Sequence, residues 1–399
     1  MTSGVTGAAR PQSKSALRFV ILLGIVSLFS DMTHEAARSV NGPFLAILGA
    51  SGAVVGIVSG LGEVAGYAIR LISGYLTDQT RRYWVISFLG YAVNLLAVPF
   101  LALAGNWPAA ATLMIVERIG KGIRVPPRDT MLSHATESMG RGWGFGLHEA
   151  MDQLGAILGP LIVAAVLYAR SDYRAGYAIL IIPALLALSV LTLARVLYPR
   201  PHELSTAEPS SPARGYSRIF WLYVAATALM AAGFADFPLI AYHFQKTSIV
   251  DPRNIPIIYA VAMGVDAVAA LVLGRLFDRI GPSTMVLAAA ASAGFAPLAF
   301  FGGLWLAILG MVFWGIGMGA QESIMRAAIA GMIPAERRGR AYGIFNTVFG
   351  IAWFLGSVVI GSLYDVSIPA LVAFSMAAQL AAVPVFYVVA RRVRVVSGK

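Results

Sequence analysis

The sequence predicts an all-α integral membrane protein with twelve transmembrane helices, arranged as two six-helix bundles around a central cavity. Three observations support this fold class. Hydrophobic residues make up 58% of the 399 residues and charged residues only 12%, whereas ordinary soluble domains have roughly 25% charged residues. Basic residues are divided very unequally between the two predicted sides of the membrane, and short sequences recur at a nearly constant offset.

Uncharged windows of membrane-spanning length recur along the chain, for example at residues 85–106 and 175–194. About 20 apolar residues in a helix cross the hydrocarbon core of a bilayer, and a helix satisfies its own backbone hydrogen bonds there. No small-residue cleavage site follows the first apolar segment, so we expect it to be a retained span and not a signal peptide. The predicted spans are residues 17–49, 53–78, 83–105, 107–132, 143–169, 175–197, 217–245, 254–277, 283–302, 303–332, 341–364 and 368–390.

Basic residues outside these spans predict the orientation in the membrane. Nearly all of them lie on the side of both termini, whereas the opposite side has only Arg170, Arg174, Lys246 and Arg253. Short cytoplasmic connections are enriched in Lys and Arg, so both termini are predicted to be cytoplasmic, which requires an even number of spans. The net charge of +11 is thus explained by topology, and no nucleic-acid partner is expected. The predicted location is the inner, cytoplasmic membrane of a bacterium.

The two halves of the chain repeat each other. Residues 74–78 (GYLTD) match residues 274–278 (GRLFD) at an offset of 200, and residues 119–122 (IGKG) match residues 316–319 (IGMG) at an offset of 197. Parallel repeats place a substrate path between the halves, near the middle of the membrane. The predicted organisation is a cytoplasmic tail, a first bundle, a cytoplasmic linker, a second bundle and a second cytoplasmic tail, at residues 1–16, 17–197, 198–216, 217–390 and 391–399.

The repeated loop resembles a signature of the major facilitator superfamily, G-x-L-x-D-R-x-G-R-R, and the resemblance to this family extends over essentially the whole chain. The first copy departs from the pattern at Gln79 and Arg81, where the family prefers arginine and glycine. The resemblance implies a transporter in which two bundles give alternating access to a central cavity. The residues of these loops that we expect to act as a conformational latch are Gly74, Asp78, Arg82, Gly274, Asp278 and Arg279.

A glycine pattern in the fifth span resembles the motif of the antiporter branch, G-x8-G-x3-G-P-x2-G-G. It consists of Gly146, Gly155, Gly159 and Pro160, while the last two glycines of the motif are replaced by valine and alanine. Small residues at this spacing allow close helix packing, and proline bends the helix. In the family this motif accompanies export, so the resemblance implies the branch that exports drugs or metabolites.

The fourth span carries several charges. Arg118-x-x-x-Gly122 resembles the fourth-helix motif of the superfamily, whose arginine is linked to proton transfer. A rise of 1.5 Å per residue from Trp107 places Arg118 near the midplane of the bilayer, where a charge is costly unless it is paired or hydrated. Arg128 and Asp129 are expected at the membrane interface. The whole charged segment resembles a poorly characterised prokaryotic subgroup, so the substrate does not follow from the resemblance.

Ionisable residues of the first, second and fifth spans are predicted to lie beside Arg118. On the first span they form one stripe at helical spacing, and Glu63 of the second span shares a face with Arg70. Asp31 or Glu35 is expected to bind and release a proton; the alternative is a permanent ion-pair network that fixes helix packing. The candidate residues for proton coupling and the substrate cavity are Asp31, His34, Glu35, Arg38, Glu63, Arg118, Lys121, Glu149, Asp152 and Asp236.

These residues favour a proton-coupled antiporter that exports small amphipathic or cationic molecules. The expected partners are the substrate, protons and the lipid bilayer; the protein is expected to be a monomer without cofactor or enzymatic activity. One alternative is efflux of a divalent metal ion, with carboxylate and imidazole ligands from Asp31, His34, Asp236 and His243. Another is a membrane signalling protein that transports nothing.

Overall fold

The computed structural model describes residues 9–136, 141–200, 216–333 and 338–397, so the predicted tails and linker lie partly outside the described residues. The described chain is helical and contains no strand. Its helices are α1 (Ala9–Ile47), α2 (Gly52–Thr80), α3 (Tyr83–Phe100), α4 (Trp107–Thr136), α5 (Arg141–Arg170), α6 (Tyr173–Ile179), α7 (Ile181–Leu197), α8 (Arg218–Gly233), α9 (Phe237–Thr247), α10 (Ile255–Ile280), α11 (Ser283–Ser292), α12 (Phe295–Phe301), α13 (Leu304–Gly319), α14 (Met325–Met332), α15 (Arg338–Val366) and α16 (Ile368–Ser397).

The predicted spans correspond to single helices or to consecutive short helices. Helices α1 to α5 form the first five spans, and α10, α15 and α16 form the eighth, eleventh and twelfth. The sixth span is α6 with α7, the seventh α8 with α9, and the ninth α11 with α12. The tenth consists of α13, a π-helical turn at Ala320–Ile324, and α14. The predicted all-helical membrane fold with twelve spans is therefore confirmed.

Eleven of these units are long and apolar enough to cross a membrane, and α4 is the one described span that does not meet this criterion. Its composition explains the difference, because six charged residues lie between positions 117 and 129. Helix α4 packs against α1, α2, α3 and α5. It is surrounded by protein, so its charged side chains face other helices or a cavity and not lipid.

Each half is a bundle with its own internal contacts. In the first half, α1 packs on α5 and α7, and α4 packs on α2 and α3. In the second half, α8 packs on α15 and α16, and α10 packs on α13. The most extensive contacts between the halves are those of α2 with α15, α5 with α10, and α1 with α9; α2 also contacts α9, and α1 contacts α10.

The apolar core shows where the halves meet. We call the end at which α1 begins and α16 ends the inner end, and the opposite end the outer end. One buried cluster runs through both halves and includes Phe44 of α1 and Leu239 of α9. A second cluster, with Phe19, Trp84 and Leu191, belongs to the first half alone and lies toward the inner end. The halves are thus joined toward the outer end.

The outer surface of the helices carries large apolar side chains. Trp305 is 80% exposed, and leucines such as Leu185 and Leu271 are more than half exposed although they lie within spans. A soluble protein seldom exposes so many large apolar side chains together. This surface is suited to contact with lipid tails, as expected for a protein with multiple membrane spans.

Candidate functional site

A cavity of about 590 Å³ lies between the two halves. The first half contributes α1, α2, α4 and α5 to its wall, and the second half contributes α10, α13, the π-helical turn and α15. On α2, which begins at the outer end, the lining residues fall within positions 62–71. On α15, which begins at the inner end, they fall within positions 342–353. The cavity therefore occupies the region between mid-span and the inner end.

Close backbone contacts shut the cavity at the outer end. A Cβ atom added to Gly361 of α15 would lie 2.9 Å from the carbonyl oxygen of Gly52 and 2.9 Å from the Cα of Gly56, both on α2. The carboxylate of Asp365 accepts hydrogen bonds from the N–H groups of Gly52 (2.9 Å) and Ala53 (2.8 Å). An acid from one half thus caps the N-terminus of a helix in the other half, where negative charge is favourable.

Two polar contacts join the halves above the cavity. Residues 234–236 interrupt the seventh span, and Asp236 begins α9 by accepting a hydrogen bond from the N–H of Phe237. Arg38 donates from Nη2 to Oδ1 of Asp236 at 2.6 Å. The hydroxyl of Tyr259 donates to Oε2 of Glu35 at 2.5 Å. All four of these side chains are buried, and Glu35 and Arg38 also line the cavity.

Arg118 lies at the centre of the polar network in the first half. Its Nη1 is 3.2 Å from Oε1 of Glu63 and 3.1 Å from Nε2 of His34. The other ring nitrogen of His34, Nδ1, is 2.6 Å from Oε1 of Glu117. Glu63 thus pairs with Arg118, while the guanidinium of Arg70 lies 4.8 Å from the ring centre of Tyr67. These contacts hold α1, α2 and α4 together through charged groups.

Each predicted proton-binding acid of α1 lies beside a cation of α4. Arg124 is fully buried, with Nη2 3.3 Å from Oδ1 of Asp31. Its Nε donates to Oδ1 of Asn94 at 3.1 Å. Lys121 places its Nζ 3.8 Å from Oε1 of Glu35. Asp31 and Glu35 are therefore close enough to α4 for a change in their charge to alter these ion pairs.

A third group of polar residues lies nearer the inner end. Arg128 has Nη2 2.8 Å from Oδ1 of Asp129 and Nη1 3.9 Å from Oδ2 of Asp152. The buried His148 has Nε2 2.8 Å from the hydroxyl of Ser27. Arg128 and Asp129, which were expected at the membrane interface, line the cavity toward the inner end. Helix α4 continues through Pro126 and Pro127 to reach them. Glu149 lines the cavity nearby, from the start of α5.

The second half supplies a less charged wall. Its ionisable lining residues in the described chain are Asp266 of α10 and Glu322 of the π-helical turn. The side chains of Phe349 and Trp353 complete this wall from α15. Gln153 of α5 reaches across, with Nε2 3.5 Å from Oε2 of Glu322. The cavity is thus strongly charged on one side and acidic and aromatic on the other.

The loops predicted to act as a latch lie at the inner end. Asp78 lies in the last turn of α2 and Arg82 follows the helix, and both are exposed. Asp278 and Arg279 are exposed at the end of α10. Within the described residues neither aspartate forms an ion pair. A Cβ added to Gly74 would meet Pro126 at 3.8 Å, whereas one added to Gly274 would meet nothing within 4 Å. Their action as a latch remains a prediction.

The glycine motif of the fifth span lies partly against α1. Added Cβ atoms at Gly155 and Gly159 would clash with the backbone of Leu28 and Met32 in α1, whereas one at Gly146 would meet nothing within 4 Å. Pro160 is buried within α5. Two glycines of the motif therefore permit the close packing of α5 on α1.

The geometry gives the metal alternative no support. The described residues contain no group of three or more His, Asp or Glu side chains placed to hold a metal ion. Asp31 faces Arg124, His34 faces Glu117, and Asp236 faces Arg38. His243 has Nδ1 3.1 Å from the hydroxyl of Tyr364. The four proposed ligands thus have four separate partners.

The residues of the network that were not among the sequence candidates for the cavity include Arg124, Arg128, Glu117, Asn94, His148 and Tyr259. Glu117 and His148 are each next to a candidate residue in the sequence. Both would have been identified if every ionisable residue within a predicted span had been included. Asn94 and Tyr259 lie on other helices and contact the network through tertiary packing. Uncharged polar residues are common in membrane helices, so the sequence contains no signal that singles out these two.

Comparison with known proteins gives a consistent result. Residues 23–357 and 220–397 match the family model described as Major Facilitator Superfamily. An uncharacterised protein of Mycobacterium tuberculosis is 39% identical over 390 residues, covering 96% of this chain and 95% of the relative. An uncharacterised MFS-type transporter of Methanocaldococcus jannaschii is 27% identical over 364 residues, covering 87% and 89%. The crystal structure of the nucleoside transporter NupG superposes with a TM-score of 0.74 at 14% identity, covering 92% of this chain and 100% of that one.

Proposed function

Because the chain belongs to the Major Facilitator Superfamily, we propose that it is a proton-coupled antiporter that exports small amphipathic or cationic molecules. The observation that carries this proposal is the cavity between the halves, which is lined by ionisable side chains and closed at the outer end. Intramembrane ionisable residues are costly and typically mark substrate and proton pathways. A protein that only anchors or signals has no need of such a cavity.

Alternating access follows from the contacts between the halves. The outer end is held by glycine contacts, by the Asp365 cap, and by the pairs Arg38–Asp236 and Glu35–Tyr259. Opening that end requires these contacts to separate while the halves approach each other at the inner end. The exposed helix ends at Asp78 and Asp278 are positioned to take up new partners in that second state.

Proton coupling is proposed at Asp31 and Glu35. A proton bound to Glu35 removes the charge that holds Lys121 and weakens the contacts to Arg38 and Tyr259. A proton bound to Asp31 similarly releases Arg124. Because Glu35 contacts both halves, its charge bears directly on the closure of the outer end. The alternative of a permanent ion-pair network predicts that these acids keep one charge state throughout.

The direction of transport is proposed from the fifth span and from topology. Glycines 155 and 159 belong to a motif that accompanies export in the family, and they pack on α1. The distribution of basic residues supports a cytoplasmic location of both termini. The cavity then opens toward the cytoplasm of a bacterial cell, from which a substrate for export is taken up. In this arrangement residues 17–197 and 217–390 are the two moving units.

Purified protein in liposomes tests the coupling. With ethidium as the probe and a pH-sensitive dye inside the vesicles, addition of ethidium is expected to move protons in the opposite direction. At least one of the variants Asp31→Asn and Glu35→Gln is expected to abolish this exchange. Asp251→Asn, a matched change outside the cavity, is expected to leave the exchange intact. Proton-driven exchange that survives in both Asp31→Asn and Glu35→Gln would show the assignment to be wrong.

A further inference from the structure

The charges on the two walls of the cavity are not equivalent. The lining residues of the first half comprise equal numbers of cationic and acidic side chains, and most of these are joined in the ion pairs described above. The ionisable lining residues of the second half, in the described chain, are the acids Asp266 and Glu322. This wall therefore has acidic groups and, among its described lining residues, no basic ones. Glu322 has a further interaction partner, so Asp266 is the acid of this wall whose charge needs an explanation.

Asp266 lies deep within this wall. A rise of 1.5 Å per residue from Ile255 puts it about 16 Å along α10, near mid-span. The residue is 1% exposed, lines the cavity, and has no hydrogen-bond partner for Oδ1. Glu322, Glu149 and Glu35 act on it unfavourably and Arg38 acts in the opposite sense, but no hydrogen bond reaches its Oδ1. A buried carboxylate oxygen without a hydrogen bond is unfavourable, so the position favours a cationic partner or a proton.

Gln321 provides a second acceptor beside the same helix. It lies on the π-helical turn, and Gly319 lets this segment approach α10 so closely that an added Cβ would lie 2.7 Å from the carbonyl oxygen of Asp266. Gln321 is 8% exposed and donates from Nε2 to the carbonyl of Gly317, which leaves Oε1 without a partner in the cavity wall. Single π-helical turns within α-helices are frequent at functional sites.

We propose that Asp266 and Gln321 form a subsite for the cationic nitrogen of the transported molecule, an organic ammonium that carries N–H groups. This inference rests on the proposed transport of cationic molecules and adds the place where the cation binds. The ammonium donates to Oδ1 of Asp266 and to Oε1 of Gln321, which satisfies both acceptors and neutralises the carboxylate. Phe349 and Trp353 line the same cavity and supply apolar faces for the remainder of the molecule, where a nearby cation is also favourable.

The absence of cysteine from the chain permits a direct test of this subsite. A Gln321→Cys variant has a single thiol, whose modification rate is measured in purified protein with a cationic trimethylammonium-ethyl methanethiosulfonate and an anionic sulfonatoethyl methanethiosulfonate. The ratio of cationic to anionic rates is expected to exceed that of Asn346→Cys, another cavity residue, by about tenfold. Addition of Asp266→Asn to the Gln321→Cys variant is expected to remove most of this difference.

Protection by a small ligand tests the chemical class. Phenethylammonium is expected to slow the reaction of a Met318→Cys thiol, which lies in the cavity wall and leaves Asp266 and Gln321 unchanged, with uncharged methyl methanethiosulfonate. Its neutral counterpart 2-phenylethanol is not expected to slow this reaction. Three results would each overturn the subsite. They are equal ratios of cationic to anionic rates at positions 321 and 346, equal protection by the two compounds, and a thiol that reacts with no reagent. The position comparison and the protection experiment keep Asp266 in place, so they decide the question even if Asp266→Asn does not fold.

These measurements need neither transport nor a proton gradient. Selective labelling and protection without exchange in liposomes contradict the proposed antiport but support the subsite. Exchange in liposomes without charge-selective labelling contradicts the subsite alone.

Discussion

The contact between Arg38 and Asp236 places a buried ion pair at the boundary between the halves. Its 2.6 Å separation and the burial of both side chains mean that each charge depends strongly on the other. A buried pair contributes little over an apolar pair of similar size, but removal of one partner strands the other charge. A variant that replaces one member of the pair measures the cost of an unpaired charge. A variant that replaces both members measures the contribution of the pair itself.

Substitution of one member of this pair is expected to be more harmful than substitution of both. Asp236→Leu leaves Arg38 with Glu35, at 3.7 Å, and is expected to lower the free energy of unfolding by about 3 kcal/mol. The double variant Arg38→Met with Asp236→Leu is expected to recover most of this loss. Unfolding titrated with SDS measures both. A double variant no more stable than the single one would contradict the reasoning.

At the scale of single residues, the sequence predicted the ionisable cluster but not all of its pairings. The stripe on α1 follows from helical spacing. Charged residues within spans were chosen as candidates because a charge inside the membrane is energetically unfavourable unless it has a function. Glu63 shares a face of α2 with Arg70 and was predicted to lie beside Arg118, which it contacts. The contacts of Glu35 with Tyr259 and of Arg124 with Asn94 were not predicted. Spacing along one helix shows which side chains share a face, whereas the partner depends on how helices pack.

Among the helices, the close packing of α5 on α1 depends on glycine. Gly159→Leu is expected to force α5 from α1, because an added Cβ already lies 2.8 Å from the carbonyl carbon of Met32. Overpacking of this kind typically costs 1–3 kcal/mol. The matched variant Gly146→Leu changes a glycine of the same motif with open space around it. A melting temperature that falls in the first variant and not in the second, measured on purified protein, is the expected result.

Helix boundaries were predicted better than helix interruptions. The sequence identified α4 as a span through its charged motif, although its composition fails an apolar criterion. It did not predict the break at residues 234–236 or the π-helical turn at Ala320–Ile324. The break lies between Gly233, the last residue of α8, and Pro238, in the first turn of α9, which are residues typical of helix ends and helix starts. The π-helical turn follows Gly319 but contains neither glycine nor proline. Both interruptions adjoin the cavity or its cross-half contacts, where local geometry is determined by neighbouring helices.

At the scale of the whole molecule, a cross-link between the two halves at the outer end is expected to trap the protein in the conformation closed at that end. Arg253 donates from Nη2 to the hydroxyl of Ser171 at 2.8 Å, across the two halves. The paired variant Ser171→Cys with Arg253→Cys, joined by a short bifunctional methanethiosulfonate, is expected to hold the outer end closed. Transport in liposomes is expected to stop, and to return when the cross-link is reduced. Either single variant, treated identically, serves as the control, and full transport by the cross-linked pair would contradict alternating access.

The two-bundle architecture was predictable because it rests on global signals, namely composition, charge asymmetry and internal repetition. The conformation was not, since the same sequence must stabilise more than one arrangement of the halves. Contacts such as that of Asp365 with Gly52 join residues from opposite halves of the chain. No local pattern predicts which of these contacts are made in a given state.

The outer closure between α2 and α15 is made largely by backbone against backbone. Interdigitated side chains have to change rotamer before two helices can part, whereas smooth surfaces at Gly56 and Gly361 need only separate. We therefore expect the height of the kinetic barrier between the two conformations to be governed by the few polar contacts nearby. Turnover should then be sensitive to charge in this region and tolerant of changes in apolar volume elsewhere. A variant with normal affinity and normal stability can, on this basis, still cycle too slowly to be useful to the cell.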